Sequence, residues 1–343
     1  MNSELKFGMN IHNCGYDSYP LEYLEENIDA CKELGMDIIR FNQSSLEADA
    51  IEEVKSVSRL CHKRDMKLML VVDTTSYTRI DSLHEIETEM AKYYKELSSS
   101  YKDAVDVYQI YNEMDVRCMG GSIANIFLTP ADGKEKGEYD YILWDKSIAA
   151  VKGALKGMKE GYPEGKTCIN FAWWHTALIY ELYRKGCRWD ITGIDWYSDC
   201  EEVSSIELLM NDVVKNIPDT DIMICEVNYW MNLHRRYPEE RKQALKKAEE
   251  RYALQAEWVP EFIDKLLKCN NPGLKAVIFY ELLDEPNFEE DRGDYIGESH
   301  FGFIECDRHS GNRLKKPAFY SLKDKIGRIK SNTLFYKSLM KND

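Results

Sequence analysis

Two carboxylates in this sequence stand where a reacting pair would stand. Glu113 closes the run Tyr108-Gln109-Ile110-Tyr111-Asn112, and Glu226 closes Asp221-Ile222-Met223-Ile224-Cys225. Both runs are apolar enough to be strands, and an acid at the C-terminal end of a strand is where a β/α barrel does its chemistry. Two carboxyl groups about 5 to 5.5 Å apart can cleave a glycosidic bond with retention. One protonates the leaving oxygen and the other attacks the anomeric carbon. An Arg beside the attacking carboxylate would keep it ionised, and a Tyr hydroxyl would orient it.

Such a pair needs a scaffold that brings distant strand ends together. Apolar runs that read as strands lie at 7–11, 36–41, 67–72, 105–111, 167–172, 191–195, 221–226 and 274–280. Between them, apolar residues recur at helical spacing, as in Leu21, Leu24, Ile28, Cys31 and Leu34, where Gly35 supplies the stop. Ser82 with Glu85, and Ser204 with Glu207, have the spacing of helix-opening capping boxes. A long charged helix carries Leu245, Ala248, Tyr252, Ala256, Val259 and Ile263 on one face, with a kink expected at Pro260. A last helix starts near Pro317. Eight strands alternating with helices predict an α/β fold, a (β/α)8 TIM barrel forming a single domain over 1–343, with a C-terminal tail from about 328. Two long polar stretches, 117–138 and 284–299, are expected to shape the cleft.

In a parallel barrel all strand C-termini open on one side. Reading them off collects Asn10 and His12, Arg40 and Asn42, Asp73, Asn112 and Glu113, Trp174 and His175, Trp196 and Tyr197, Glu226 and Asn228, and Tyr280 and Glu281. Sugars present hydroxyls at their edges and C–H groups on their faces, so a sugar site needs this mixture of amides, carboxylates and aromatic rings. Of the adjacent Trp173 and Trp174, a continuing strand would send one to the core and leave Trp174 as the platform. Asp73 and Glu281 suit a substrate contact or a structural ion pair equally, and His12 and His175 read as hydrogen-bonded residues of the barrel mouth.

The Asn-Glu after the fourth strand, the Glu on the seventh, Arg40 on the second and the aromatic sixth and eighth strands together resemble the clan A retaining glycoside hydrolases. The closing segments, Phe279-Tyr280-Glu281-Leu282-Leu283-Asp284-Glu285-Pro286, His300-Phe301-Gly302-Phe303-Ile304 and Lys316-Pro317-Ala318-Phe319-Tyr320, are similar to the ending of cellulase-like and related barrels. The resemblance implies Glu113 as acid/base and Glu226 as nucleophile. It implies Asn112 on the sugar's 2-hydroxyl, Arg40 and Tyr197 against the nucleophile, and an aromatic near the end of the eighth strand stacked on the ring. Where many members carry Trp there, this chain has Tyr280 followed by Glu281.

The composition excludes other classes. A formal net charge of −15 without a basic block speaks against nucleic acid or an anionic membrane as partner. The ten cysteines are scattered with no Cys-x-x-Cys pair, which reads as buried free thiols in a reducing compartment. The start of the chain shows neither a basic n-region nor an apolar h-region, so a cytoplasmic location is expected, a removed signal being compatible with the same sequence. No nucleotide-binding loop, dinucleotide fingerprint, His-Glu-x-x-His or Gly-x-Ser-x-Gly occurs, and neither cofactor nor metal is expected. Two competing readings are a non-catalytic carbohydrate-binding barrel and a metal-dependent hydrolase built on His12 and Asp73.

Overall fold

The computed structural model describes residues 5–119, 132–198, 203–229, 238–269, 271–286, 298–306 and 312–339. The middle of each long polar stretch, 120–131 and 287–297, lies outside the described residues, as do Cys200 and the side chains of Leu245 and Ala248.

Eight strands, β1 (Lys6–Ile11), β2 (Ile38–Asn42), β3 (Lys67–Val72), β4 (Val107–Ile110), β5 (Lys166–Ala172), β6 (Ile191–Tyr197), β7 (Asp221–Asn228) and β8 (Leu274–Phe279), form a closed barrel in sequence order. The pairings β1 with β8, and β3 through β6 in succession, are parallel. Nearly every strand residue is buried on both faces, as in β1, where only Lys6 is exposed. One face fills the interior while the other meets the surrounding helices, which is why these strands read as unbroken apolar runs. A two-stranded antiparallel ribbon, β9 (Ile304–Cys306) with β10 (Arg313–Lys315), follows β8.

Several boundaries differ from the sequence expectation for local reasons. Strand β4 stops at Ile110 because Tyr111 (φ 62°) and Glu113 (φ 42°) both adopt left-handed backbone, which cannot continue a ladder. Ser82 accepts from the Glu85 amide at 3.3 Å, the expected cap. Ser204 instead falls inside the first turn of the helix Val203–Asn216. Pro260 lies within the helix Pro238–Lys268. The last helix, Pro317–Leu339, runs on through the residues expected to form a tail.

The chain divides into two compact units. One comprises Arg40–Trp196 and Leu208–Cys225. Its tightest packing joins the helices Leu83–Tyr101 and Tyr141–Gly161, where a Cβ at Gly153, Gly157 or Gly161 would collide with the carbonyl oxygens of Glu87, Ala91 and Lys95. Glycine at every fourth position lets the two backbones touch. The other unit comprises Met1–Ile39, Tyr197–Glu207 and Glu226–Asp343. In it the helix Leu24–Glu33 ends at Gly35 (φ 82°), whose amide returns to Lys32 O. The last helix packs along Pro238–Lys268. Cys31, Cys61, Cys118, Cys168, Cys187 and Cys225 are buried free thiols. Among the described residues no helix is long and apolar enough to cross a membrane.

Candidate active site

In the Arg40–Trp196 unit the residues following β4 are held by a dense polar network. Arg40 has no exposed surface; its Nε donates to Gln109 Oε1 at 2.9 Å and its Nη2 to Asn112 Oδ1 at 2.7 Å. The same Asn112 oxygen accepts from Gln109 Nε2 and Asn170 Nδ2, both at 2.9 Å. Three converging donors fix which end of the Asn112 amide is oxygen, so its NH₂ faces away from Arg40. Asn170 also accepts from the Glu113 backbone amide at 3.1 Å and donates to Asp195 at 2.5 Å. Glu113 is thereby seated by its backbone, at the N-cap of the short helix Met114–Cys118.

Around this centre sit pairs that the strand-end reading did not resolve. Asp73 is taken up by Arg117, whose Nη2 lies 3.1 and 2.8 Å from the two carboxylate oxygens. Burial pulls the Arg117 guanidinium down, but the charge and hydrogen bonds of Asp73 outweigh it and leave the group above its ordinary value. Asp115 Oδ2 accepts from the Ala172 amide at 3.1 Å and lies 2.9 Å from His175 Nδ1. His175 is wholly buried and held by Asp115. The strand does not continue past Ala172, since Trp173 is left-handed (φ 47°), so the expected alternation of Trp173 and Trp174 does not operate. Lys134 Nζ lies 4.7 Å over the Trp174 ring. Trp196, collected from the end of the sixth strand as a candidate sugar contact, has no exposed surface and packs as core.

The other unit carries the second carboxylate. Tyr197 Oη donates to Glu226 Oε2 at 2.7 Å, and the Tyr197 ring stacks on Phe301 with centroids 5.2 Å apart. Phe301 meets Tyr280 edge-on at 6.1 Å, and Tyr280 meets His12 edge-on at 5.7 Å. Asn228 clamps this wall: its Nδ2 donates to the carbonyls of Tyr280 and Phe301 at 2.6 and 2.7 Å. Gln255 donates back to Asn228 Oδ1 at 3.1 Å. His12 Nε2 lies 2.8 Å from Glu281 Oε2, and Tyr19 Oη donates to the same oxygen at 3.3 Å. Burial first, and then the charges of Glu281 and Glu285, hold the Tyr19 hydroxyl well above its usual range, so it remains a donor.

No family model matches the sequence, and no curated protein matches it. Solved structures do match. A family 1 β-glucosidase from Thermotoga maritima has a TM-score of 0.67 at 12% identity, covering 96% of this chain and 98% of that one. A hyperthermophilic β-glucosidase from Pyrococcus furiosus has a TM-score of 0.68 at 12% identity, covering 96% of each chain. The fold is that of the β-glucosidases. It is the (β/α)8 barrel that the clan A resemblance implied, shared over nearly the whole length of both chains.

Gln109, Asn170, Asp195 and Asp115 were not among the strand-end candidates. Asn170 and Asp195 lie within β5 and β6, two residues short of the strand ends, and point to the interior among buried neighbours. A polar residue in an otherwise apolar strand is the signal that would have found them. A cleft of about 670 Å³ lined by Lys152, Lys156, Lys159, Lys166 and Arg188 lies by the starts of β5 and β6, at the strand ends remote from Asn112 and Glu113.

Proposed function

We propose that this chain is a retaining β-glycosidase acting on an oligo- or polysaccharide, with Glu113 as acid/base and Glu226 as nucleophile. The hydrogen bond from Tyr197 to Glu226 carries the reading, because a carboxylate buried to 6% exposure and held by a phenol in one orientation suits attack on carbon. The fold shared with β-glucosidases and the place of Glu113 just past β4 support it.

Glu226 would attack the anomeric carbon while Glu113 hands its proton to the leaving oxygen, giving a covalent glycosyl-enzyme and the free aglycone. Glu113 then takes a proton from water, whose oxygen displaces Glu226 and restores the original anomeric configuration. Asn112, its carbonyl oxygen occupied by Arg40, Gln109 and Asn170, would turn its NH₂ to the sugar's 2-hydroxyl. Arg40 would lend positive charge to the nucleophile's surroundings. The Tyr280, His12 and Phe301 wall would face the sugar ring, with Trp174 and Glu281 as further contacts.

The test is a panel of aryl β-glycosides with the wild type, Glu113→Gln and Glu226→Gln, each checked by circular dichroism. Phenol release by the wild type and its near loss in both folded variants is expected. Full activity in either variant removes that residue from the mechanism, and binding without phenol release by the wild type favours the non-catalytic carbohydrate-binding barrel. Proton NMR of the first-formed anomer is expected to show retention; inversion rules out double displacement.

A further inference from the structure

Within the unit that contains β1 and β8, three side chains that make and break no bond in the proposed hydrolysis, two of them proposed sugar contacts, converge below the surface. His12, Glu281 and Glu285 are 4%, 0% and 2% exposed, and one potential ligand atom from each lies within 4.8 Å of the others. Two observations set this group apart from an ordinary acidic cluster. It includes an imidazole, with Nε2 only 2.8 Å from Glu281 Oε2. In addition, Glu285 Oε1 is buried without a hydrogen-bond partner, although Ser18 bonds the same carboxyl group, and such an atom is costly unless a donor or a cation meets it.

The nearby buried ammonium is already engaged, since Lys316 Nζ lies 2.6 Å from Asp284 Oδ1. Glu285 is buried beside the carboxyl groups of Glu281 and Asp284, so three acidic side chains share this space. Glu281 is meanwhile oriented from behind. Tyr19 Oη donates to its Oε2 and accepts from the Leu283 amide at 3.0 Å, the kind of outer support that fixes a metal-binding carboxylate.

We propose that His12, Glu281 and Glu285 form a binding site for a divalent transition-metal cation of the manganese or zinc class. One imidazole nitrogen with two carboxylates is a mixed donor set: the nitrogen disfavours magnesium and calcium, and the absence of thiolate disfavours copper(I). Three protein ligands leave coordination positions open to water or to vicinal hydroxyls. Ligation takes a neutral imidazole and two ionised carboxylates, so any protons held among the three side chains pass to solvent and the cation balances the two carboxylates. The site uses neither Glu113 nor Glu226 as a ligand, and its test does not depend on turnover.

Manganese(II) is the probe, followed by electron paramagnetic resonance as it is titrated into the chelator-treated full chain at about 0.15 M salt, where loose surface binding is screened. One tightly bound ion per chain is expected. Pulsed measurement on the wild type should show ¹⁴N coupling from His12, which thiols and surface carboxylates cannot produce. Glu285→Gln and His12→Gln should each weaken binding about tenfold or more, whereas Glu113→Gln should bind as the wild type does. Absence of stoichiometric binding, absence of nitrogen coupling, or unchanged affinity in folded Glu285→Gln overturns the proposal. None of these outcomes bears on aryl glycoside hydrolysis, so the two readings fail separately.

Discussion

Tyr197 donates its hydroxyl to Glu226 Oε2 at 2.7 Å while its ring lies flat against Phe301. The stacking restricts the phenol and the hydrogen bond restricts the carboxylate, so one side chain sets the direction of the other. A hydrogen bond to a charged group contributes about 1.5–3 kcal/mol. Tyr197→Phe keeps the stacking and removes only that bond, so kcat/KM on an aryl β-glucoside is expected to fall roughly ten- to hundredfold, with an unchanged thermal melt. An unchanged rate would detach Tyr197 from the reaction.

The acid/base role proposed for Glu113 predicts a dependence on the leaving group. Poor phenol leaving groups need a proton and activated ones do not. Glu113→Gln should therefore slow bond cleavage for phenyl glycosides by about 10²–10⁴ while affecting dinitrophenyl glycosides far less. Equal losses across the series would argue that Glu113 acts otherwise.

Arg40 joins β2 to β4 through Gln109 and Asn112 with no exposed surface of its own. Arg40→Met takes the donor from buried Gln109 Oε1, at a cost of about 1–3 kcal/mol, while Asn112 Oδ1 keeps two of its three donors. Arg40→Lys keeps the charge but cannot reproduce the two-armed geometry. Denaturant midpoints should fall for both, more for Met, and activity should fall in the lysine variant as well. A lysine variant with full activity would show that charge alone is needed.

Two glycines in helices should respond in opposite directions to alanine. Gly157 faces the Ala91 carbonyl of the neighbouring helix, so Gly157→Ala should destabilise by about 1–3 kcal/mol through overpacking. Nothing lies within 4 Å of a Cβ at Gly327 in the last helix, so Gly327→Ala should stabilise by roughly 1 kcal/mol from helix propensity. Urea unfolding of the pair reads both signs.

Burial pushes the thiols of Cys61 and Cys118 up to about 12. At pH 8 only about one molecule in 10⁴ would carry the thiolate at either position. Ellman's reagent should then label the exposed Cys14 in the native protein and reach Cys61 and Cys118 only on unfolding. Because their folded values lie above the unfolded ones, the stability they contribute is present below about 9 and is lost as pH rises towards 12. Prompt native-state labelling of either residue would contradict the packing.

Much of this was legible in the chain itself, because strand and helix periodicities are local properties. The eight apolar runs, their order and the residues that end them follow from the side-chain pattern, and strand β3 was readable to the residue at 67–72. The stop at Gly35 and the cap at Ser82 were equally visible. What a side chain does once it is at a strand end was not, because its partner is remote in sequence. Tyr19 meets Glu281 across 262 positions, Asp73 is claimed by Arg117, and Asp115 draws His175 inward. The left-handed turn of Tyr111 and Glu113, the burial of Trp196 and the contact of the Gly157 helix with its neighbour were likewise decided only in the folded chain. Sequence pattern determines which residues a strand delivers, whereas their orientation, charge and exposure depend on buried neighbours that only tertiary packing brings within reach.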